Sequence, residues 1–236
     1  MAAAAKCKVM LLAMLLAIIE VIGFSPAISR ASAADTARPK RISAKAVVAR
    51  LQRHYQATDS LSANFKQTLT RAGAPARERT GRFSYKRPGR MRWEFAAPQP
   101  ETIVSDGTTI YDYDPGLNQV VETPVKEAFR NKLAAAFFLG VGNLERDFTA
   151  FPLSASPPDG FDHLALTPKG GGDRIELGID ASTSDIRTLT VSDSLGNRTT
   201  FDFTDIRRNK ELSPSLFAFT PPAGADIVNS TESSQK

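Results

Sequence analysis

Residues 81–115, GRFSYKRPGRMRWEFAAPQPETIVSDGTTIYDYDP, contain the pattern that decides the fold. Apolar and polar residues alternate on either side of Pro88-Gly89, so both segments have one apolar face, as in half-buried β-strands. The apolar positions are Phe83, Tyr85, Met91, Trp93 and Phe95. Two further strands follow, joined at the hairpin dipeptide Asp106-Gly107. The stretch therefore predicts an antiparallel sheet with a large aromatic face.

Short strands continue on both sides of this stretch. One precedes it, from Leu61 to Thr70, and several follow between Phe151 and Phe203, separated by turns rich in glycine and aspartate. Many short strands at regular spacing favour a curved sheet or a barrel.

Two segments predict helices. Val47, Leu51 and Tyr55 are spaced four residues apart, which is typical of an amphipathic helix. A second helix is predicted to start at Thr123-Pro124 and to run over 125–139, where its second half is apolar almost all round. Because both helices need an apolar surface to cover, we expect them to lie over the open side of the sheet.

The N-terminal segment has the composition of a cleavable export signal. Two lysines precede an apolar run that ends at Ile19, and Ala31-Ser32-Ala33 offers small residues for cleavage. Removal of residues 1–33 takes away three basic residues and one acidic residue, so the net charge of +5 falls to +3. An uncleaved membrane anchor is the alternative, which the acidic Glu20 disfavours.

We expect one domain after this signal. The chain has 236 residues, of which 42% are hydrophobic, and this suits a single globular domain with a real core. The predicted boundaries are a signal peptide at 1–33, a flexible lead-in at 34–42, the domain at 43–228 and a polar tail at 229–236. The single cysteine, Cys7, lies within the predicted signal, so we expect neither a disulfide nor a lipid-bearing cysteine in the mature chain.

No motif in the sequence predicts catalysis, a metal site or nucleotide binding. The two histidines, His54 and His163, are far apart, and we interpret them as ordinary surface groups. Asp112 and Asp114 could form an acid pair, but alternate carboxylates on a strand are better interpreted as outward-facing. We therefore expect no enzyme activity, no cofactor and no metal. The mild positive charge, without a recognition pattern, argues against nucleic-acid binding.

Six segments of the chain resemble the LolA family, the periplasmic carriers of outer-membrane lipoproteins. They are F-S-Y-K-R-P (Phe83 to Pro88), M-R-W-E-F (Met91 to Phe95), I-V-S-D-G-T-T-I-Y-D-Y-D-P (Ile103 to Pro115), A-N-F-K-Q-T (Ala63 to Thr68), F-F-L-G (Phe137 to Gly140) and F-A-F-T-P-P-A-G (Phe217 to Gly224). Each segment is weak alone, but their order and spacing cover nearly all of the predicted mature chain.

The resemblance implies a mainly β fold with a helical lid (α+β), in which an incomplete antiparallel β-barrel encloses an apolar cavity covered by helices. It also implies that Arg87, in the K-R-P turn, holds the lid shut as the matching arginine of the family does. The residues expected to line or support the cavity are Leu51, Phe65, Phe83, Tyr85, Met91, Trp93, Phe95, Phe137 and Phe138. Each of them could equally be ordinary packing. Met91 departs from the family pattern, which has an aromatic ring there.

The resemblance further implies a periplasmic chaperone for acylated lipoproteins that works as a monomer without a cofactor. The cargo would come from a LolCDE-type inner-membrane ABC transporter and go to a LolB-type outer-membrane receptor. Two alternatives remain open at this stage. One is a sensor or regulatory module on the same fold that recognises a peptide or signalling protein, and the other is a periplasmic hydrolase acting on lipid or glycan.

Overall fold

The computed structural model describes residues 43–128, 143–153 and 160–230. The first helix is α1 (Ala44–Gln56), followed by strands β1 (Ser60–Arg71), β2 (Ala74–Lys86), β3 (Arg90–Phe95), β4 (Glu101–Asp106), β5 (Thr109–Asp114) and β6 (Gln119–Pro124). Next come α2 (Val125–Ala128), α3 (Leu144–Asp147), β7 (Phe148–Pro152), β8 (Phe161–Pro168), β9 (Arg174–Asp180), β10 (Ile186–Ser192), β11 (Arg198–Arg208), a 3-10 helix (Pro214–Phe217) and β12 (Asp226–Asn229). The predicted signal, the lead-in and residues 129–139 of the predicted second helix lie outside the described residues.

These strands form one 12-stranded sheet in the order β12-β6-β5-β4-β3-β2-β1-β11-β10-β9-β8-β7. In the part of the chain that the structure describes, β12 and β7 are edge strands, so the sheet is open and does not close into a barrel. The expectation of a mainly β fold with an incomplete barrel is confirmed. One detail was wrong: the sheet is not purely antiparallel, because β12 pairs with β6 in parallel.

The sheet is strongly curved, and its aromatic face is the concave one. Trp93 on β3 and Phe201 on β11 lie on strands separated by β2 and β1. Neighbouring strands are about 4.8 Å apart, so a flat sheet would hold these residues roughly 14 Å apart. Their ring centroids are only 5.3 Å apart. The strands on either side of β1 therefore bend toward each other as two arms, with β2–β6 in the first arm and β7–β11 in the second.

Each arm has its own hydrophobic cluster. The cluster of the second arm packs α1 and α3 against β7–β10, with Val47, Val48 and Leu51 of α1 fully covered. The cluster of the first arm covers the concave face of β1–β5 and includes Val125 from α2. Tyr55, at the end of α1, packs against both clusters. Helix α1 thus covers the second arm and reaches the first arm with its C-terminal end.

Local sequence explains the turns of the first arm. In the β4–β5 turn, Gly107 has a φ of 103°, a conformation that glycine adopts readily. The carboxylate of Asp106 accepts hydrogen bonds from the backbone N–H groups of Thr108 and Thr109, at 2.7 and 2.9 Å. Burial raises the pKa of Asp106, but these hydrogen bonds outweigh burial, so the pKa lies below its usual value.

The helix start predicted at Thr123-Pro124 was wrong by one residue, because Pro124 ends β6 and α2 begins at Val125.

Among the described residues, no helix combines the length and the apolar character that crossing a membrane requires.

Candidate functional site

The concave face of the sheet carries a continuous group of aromatic rings. Phe65 lies at its centre, with ring centroids 5.0 Å from Trp93, 5.0 Å from Phe95 and 6.0 Å from Phe201. The ring centroids of Phe83 and Trp93 are 4.3 Å apart. Most of these pairs are edge-on or tilted, which is the arrangement that aromatic quadrupoles favour. The group joins the first arm to β11 across the middle of the sheet.

A cavity of about 290 Å³ opens between the two arms beside this group. From the first arm and β1 it is lined by Gln67, Leu69, Thr70, Arg71, Met91, Trp93, Phe95 and Ile103. From the second arm and its loops it is lined by Asp173, Val191, Asp193, Asn197, Arg198, Thr199 and Phe201. The lining is apolar in the interior and charged at the rim, so an apolar ligand with a polar end fits its chemistry.

The turn between β2 and β3 contacts the end of α1 through Arg87. The Arg87 guanidinium donates a hydrogen bond from Nη2 to the backbone carbonyl of Tyr55, in the last turn of the helix. The backbone N–H of Arg87 donates to the carbonyl of Asp59 at 2.9 Å. Burial raises the pKa of Tyr85, and a hydrogen bond with Arg87 offsets part of this rise. One arginine therefore connects the first arm to the helix that covers the second arm.

The same end of α1 is also fixed to the second arm. His54 Nε2 lies 2.8 Å from the Asp185 carboxylate, and the Arg208 guanidinium lies 2.9 Å from the same oxygen. The Ile186 N–H donates to the hydroxyl of Tyr55 at 3.1 Å, and burial raises the pKa of Tyr55. The interpretation of His54 as an ordinary surface group was wrong, because its side chain is only 9% exposed. No local pattern indicates this pair, whose members are 131 residues apart in the chain.

Asp112 and Asp114, which the sequence offered as an acid pair, both lie on β5. The Asp114 carboxylate accepts from the N–H groups of Gly116 and Leu117, at 2.8 and 3.3 Å, and so stabilises the β5–β6 turn. Asp112 is half-buried on β5. The part of the chain that the structure describes contains no group of three or more His, Cys, Asp or Glu residues that could hold a metal ion.

The structure brings six of the predicted cavity residues together. Phe65, Phe83, Tyr85, Met91, Trp93 and Phe95 all belong to the cluster on the concave face, and Trp93 is the only half-buried one among them. Leu51 does not join them, because it lies fully buried in the cluster of the second arm. Phe137 and Phe138 lie outside the described residues.

Sequence reasoning missed three residues of this face, namely Gln67, Phe201 and Phe203. The alternation of Phe201 and Phe203 predicted a strand, but only the pairing of β11 with β1 places their rings against this cluster. Gln67 could have been found from its position two residues beyond Phe65, since residues i and i+2 of a strand share a face.

The sequence profile of the family described as "Outer membrane lipoprotein carrier protein LolA" matches residues 56–220 of this chain. The chain belongs to the LolA family. This confirms the resemblance seen in the motifs.

Relatives agree with this membership, and one solved structure has a similar fold. The outer-membrane lipoprotein carrier protein of Dechloromonas aromatica (strain RCB) is 36% identical over 175 residues, which cover 72% of this chain and 82% of that protein. The protein of the same name from Chromobacterium violaceum is 34% identical over 203 residues, covering 84% and 94%. An uncharacterized conserved protein from Thermus thermophilus superposes with a TM-score of 0.51 at 15% identity, covering 79% of this chain and 98% of that chain. That last likeness shows the fold alone.

Proposed function

We propose that this LolA-family protein is a non-catalytic periplasmic chaperone that binds the acyl chains of lipoproteins between the two arms of its sheet. The observation that carries the proposal is the aromatic concave face, part of which, including Met91, Trp93 and Phe95, lines a cavity between the two arms. Family membership supports it, because the relatives are named as carriers of outer-membrane lipoproteins.

The physical need for such a cavity follows from the hydrophobic effect. Burying one methylene group is worth about 0.8 kcal/mol, so three acyl chains of roughly fifteen methylenes would cost on the order of 36 kcal/mol to expose to water. A free triacylated polypeptide therefore does not leave a membrane at a useful rate. A carrier has to offer it an apolar surface during the whole transfer.

Arg87 and α1 fit the role of a latch in this proposal. The guanidinium of Arg87 holds the last turn of α1 by the Tyr55 carbonyl, while Asp185 and Ile186 hold the same turn from the other arm. A guanidinium offers several donors in one plane, which suits a main-chain carbonyl at a helix end. Release of the Arg87 contact would free the first arm to move relative to α1. Phe137 and Phe138 remain proposed cavity residues.

The proposal also assigns a location and partners. The basic and apolar N-terminal segment supports export to the periplasm by a cleavable signal. Cargo that cannot cross water has to be received and delivered by direct contact, so we assign a LolCDE-type inner-membrane transporter as donor and a LolB-type receptor as acceptor. We further assign a monomeric carrier without a cofactor.

Mass spectrometry of the protein isolated from its own periplasm tests the function. We expect a triacylated polypeptide to co-purify with the wild-type chain. An unlipidated peptide or signalling protein as the only bound partner would instead support the regulatory module, and turnover of lipid or glycan by the purified chain would support the hydrolase.

A further inference from the structure

Gln67 is a polar residue on the aromatic face of the cavity. It follows Phe65 by two residues on β1, is only 3% exposed, and lines the cavity together with Trp93 and Phe201. Its Oε1 atom is buried and has no hydrogen-bond partner among the described residues. Buried polar atoms are nearly always paired, and an unpaired one destabilises a fold. An unpaired acceptor at a ligand cavity is therefore best explained by a donor that the ligand brings.

We propose that Gln67 accepts a hydrogen bond from the amide N–H that joins an acyl chain to a polypeptide. This deepens the proposed carrier function and rests on it. The Nε2 group of the side chain can donate to the carbonyl oxygen of either an ester or an amide, so it does not distinguish the two linkages. The Oε1 atom does distinguish them, because an ester has no N–H to donate.

The position of Gln67 agrees with a ligand whose amide linkage lies beside this side chain. On one side of it β1 continues to Leu69 and Arg71, where the rim also includes Asp193 and Arg198. On the other side lies the ring group centred on Phe65. Gln67 thus marks the boundary between the apolar interior and the charged rim. The hydrocarbon chain would lie along the rings and the polypeptide would leave over the rim.

The cleft beyond this rim gives the polypeptide a path. Leu69 and Arg71 also line a neighbouring cleft of about 730 Å³, which continues past Arg79 and Glu101. Those two residues form an ion pair at 2.5 Å, and the Arg79 guanidinium lies 3.7 Å from the centroid of the Phe95 ring. The cleft is therefore more polar than the cavity, as a peptide next to its lipid anchor requires.

A pair of probes that differ only in the linkage tests this inference. N-methylhexadecanamide and methyl hexadecanoate have the same chain, but only the amide has an N–H group. Their affinities are measured by displacement of a fluorescent apolar dye, for the full-length mature protein and for Gln67→Met, which keeps the length of the side chain and removes its polar atoms. Thr68→Val, on the opposite face of β1, is the matched control.

We expect the ratio of amide to ester affinity to fall about ten-fold in Gln67→Met, because the N–H group of the bound amide is then buried without an acceptor. The ratio should stay unchanged in Thr68→Val. The Tm of Gln67→Met should be equal to or above that of the wild type, since an unpaired acceptor is removed. A ratio that changes less than two-fold would overturn the inference while leaving the carrier function intact. A clearly lower Tm would also overturn it, because Gln67 would then be hydrogen-bonded in the empty protein. Failure of the wild type to bind either probe would overturn the carrier function itself.

Discussion

The ring of Phe65 lies directly against the backbone of Gly81, its cross-strand partner on β2. A Cβ atom at Gly81 would be 2.6 Å from a carbon of that ring and 2.1 Å from the carbonyl oxygen of Glu94. Both distances are shorter than any van der Waals contact allows. The absence of a side chain at residue 81 is therefore what allows Phe65 to occupy the centre of the ring group.

Gly81→Ala should consequently destabilise the fold. We expect the free energy of unfolding to fall by about 2 kcal/mol or more, since overpacking a tight site forces side chains and backbone to move. Urea denaturation measures this. Gly116→Ala is the control, because its new Cβ would approach only one atom, an oxygen of the Asp114 side chain, and at the longer distance of 3.1 Å. Equal stability of the two variants would show that Phe65 does not pack as the structure describes.

The packing of Phe65 against Gly81 also shows what the sequence could predict and what it could not. The alternation around Phe65 and around Phe83 is local, so the strands and their apolar faces were predictable. Which strands are neighbours depends on contacts between distant parts of the chain, and β11 beside β1 was not predictable from any local pattern. The same holds for β12, whose parallel pairing with β6 places the last residues of the predicted domain, and Asn229 of the predicted tail, at a sheet edge.

The contact between Arg87, the proposed latch, and the end of α1 was predictable only through resemblance. Arg87 stands in a turn, where a solvated charge is the ordinary expectation, and its bond to Tyr55 depends on the end of α1 reaching the first arm. His54 was misinterpreted for the same reason. Its partner Asp185 lies directly before β10, and nothing near His54 in the sequence indicates this neighbour.

Asp185 should make the stability of the protein depend on pH. Burial raises the pKa of its carboxyl, but hydrogen bonds from His54 and Thr183 and the charge of Arg208 outweigh burial, so the pKa lies below its usual value. A carboxyl whose pKa is lowered by folding stabilises the native state above its unfolded pKa of about 3.9, and this stabilisation is lost as the pH falls through the folded pKa.

At pH 7 the free energy of unfolding of Asp185→Asn is expected to be about 1–2 kcal/mol lower than that of the wild type. The substitution removes a largely buried carboxylate that accepts hydrogen bonds. The difference should shrink at an acidic pH below the unfolded pKa of about 3.9, because the stabilisation by the charged carboxylate is lost as the pH falls toward the lowered pKa of the folded state. Urea denaturation at both pH values checks this, with Glu211→Gln at the exposed surface as the control. A difference that is the same at both pH values would contradict the assigned role of the charge.

Arg87→Leu should loosen the end of α1 without unfolding the protein. The hydrogen bond to the Tyr55 carbonyl is lost. A hydrogen bond from a charged donor contributes about 1.5–3 kcal/mol to stability. We expect hydrogen exchange at the C-terminal amides of α1 to become at least about ten-fold faster, and delivery of lipoprotein cargo to fall. Arg82→Leu, on the exposed outer face of β2, should change neither quantity. Unchanged exchange and normal delivery in Arg87→Leu would argue against the latch.

Trp93 provides a direct optical test of where hydrocarbon binds. It is the only tryptophan in the sequence, it is half-buried, and it lines the cavity next to Phe83 and Phe201. A long acyl chain that enters the cavity replaces water around the exposed part of the indole, so the emission maximum should shift to shorter wavelength. Titration of the purified protein with hexadecanoic acid measures the shift, and Trp93→Phe should abolish it while keeping the rings packed. If dye displacement shows that the acid is bound but the emission of Trp93 does not change, the chain occupies another surface and the aromatic face is packing alone.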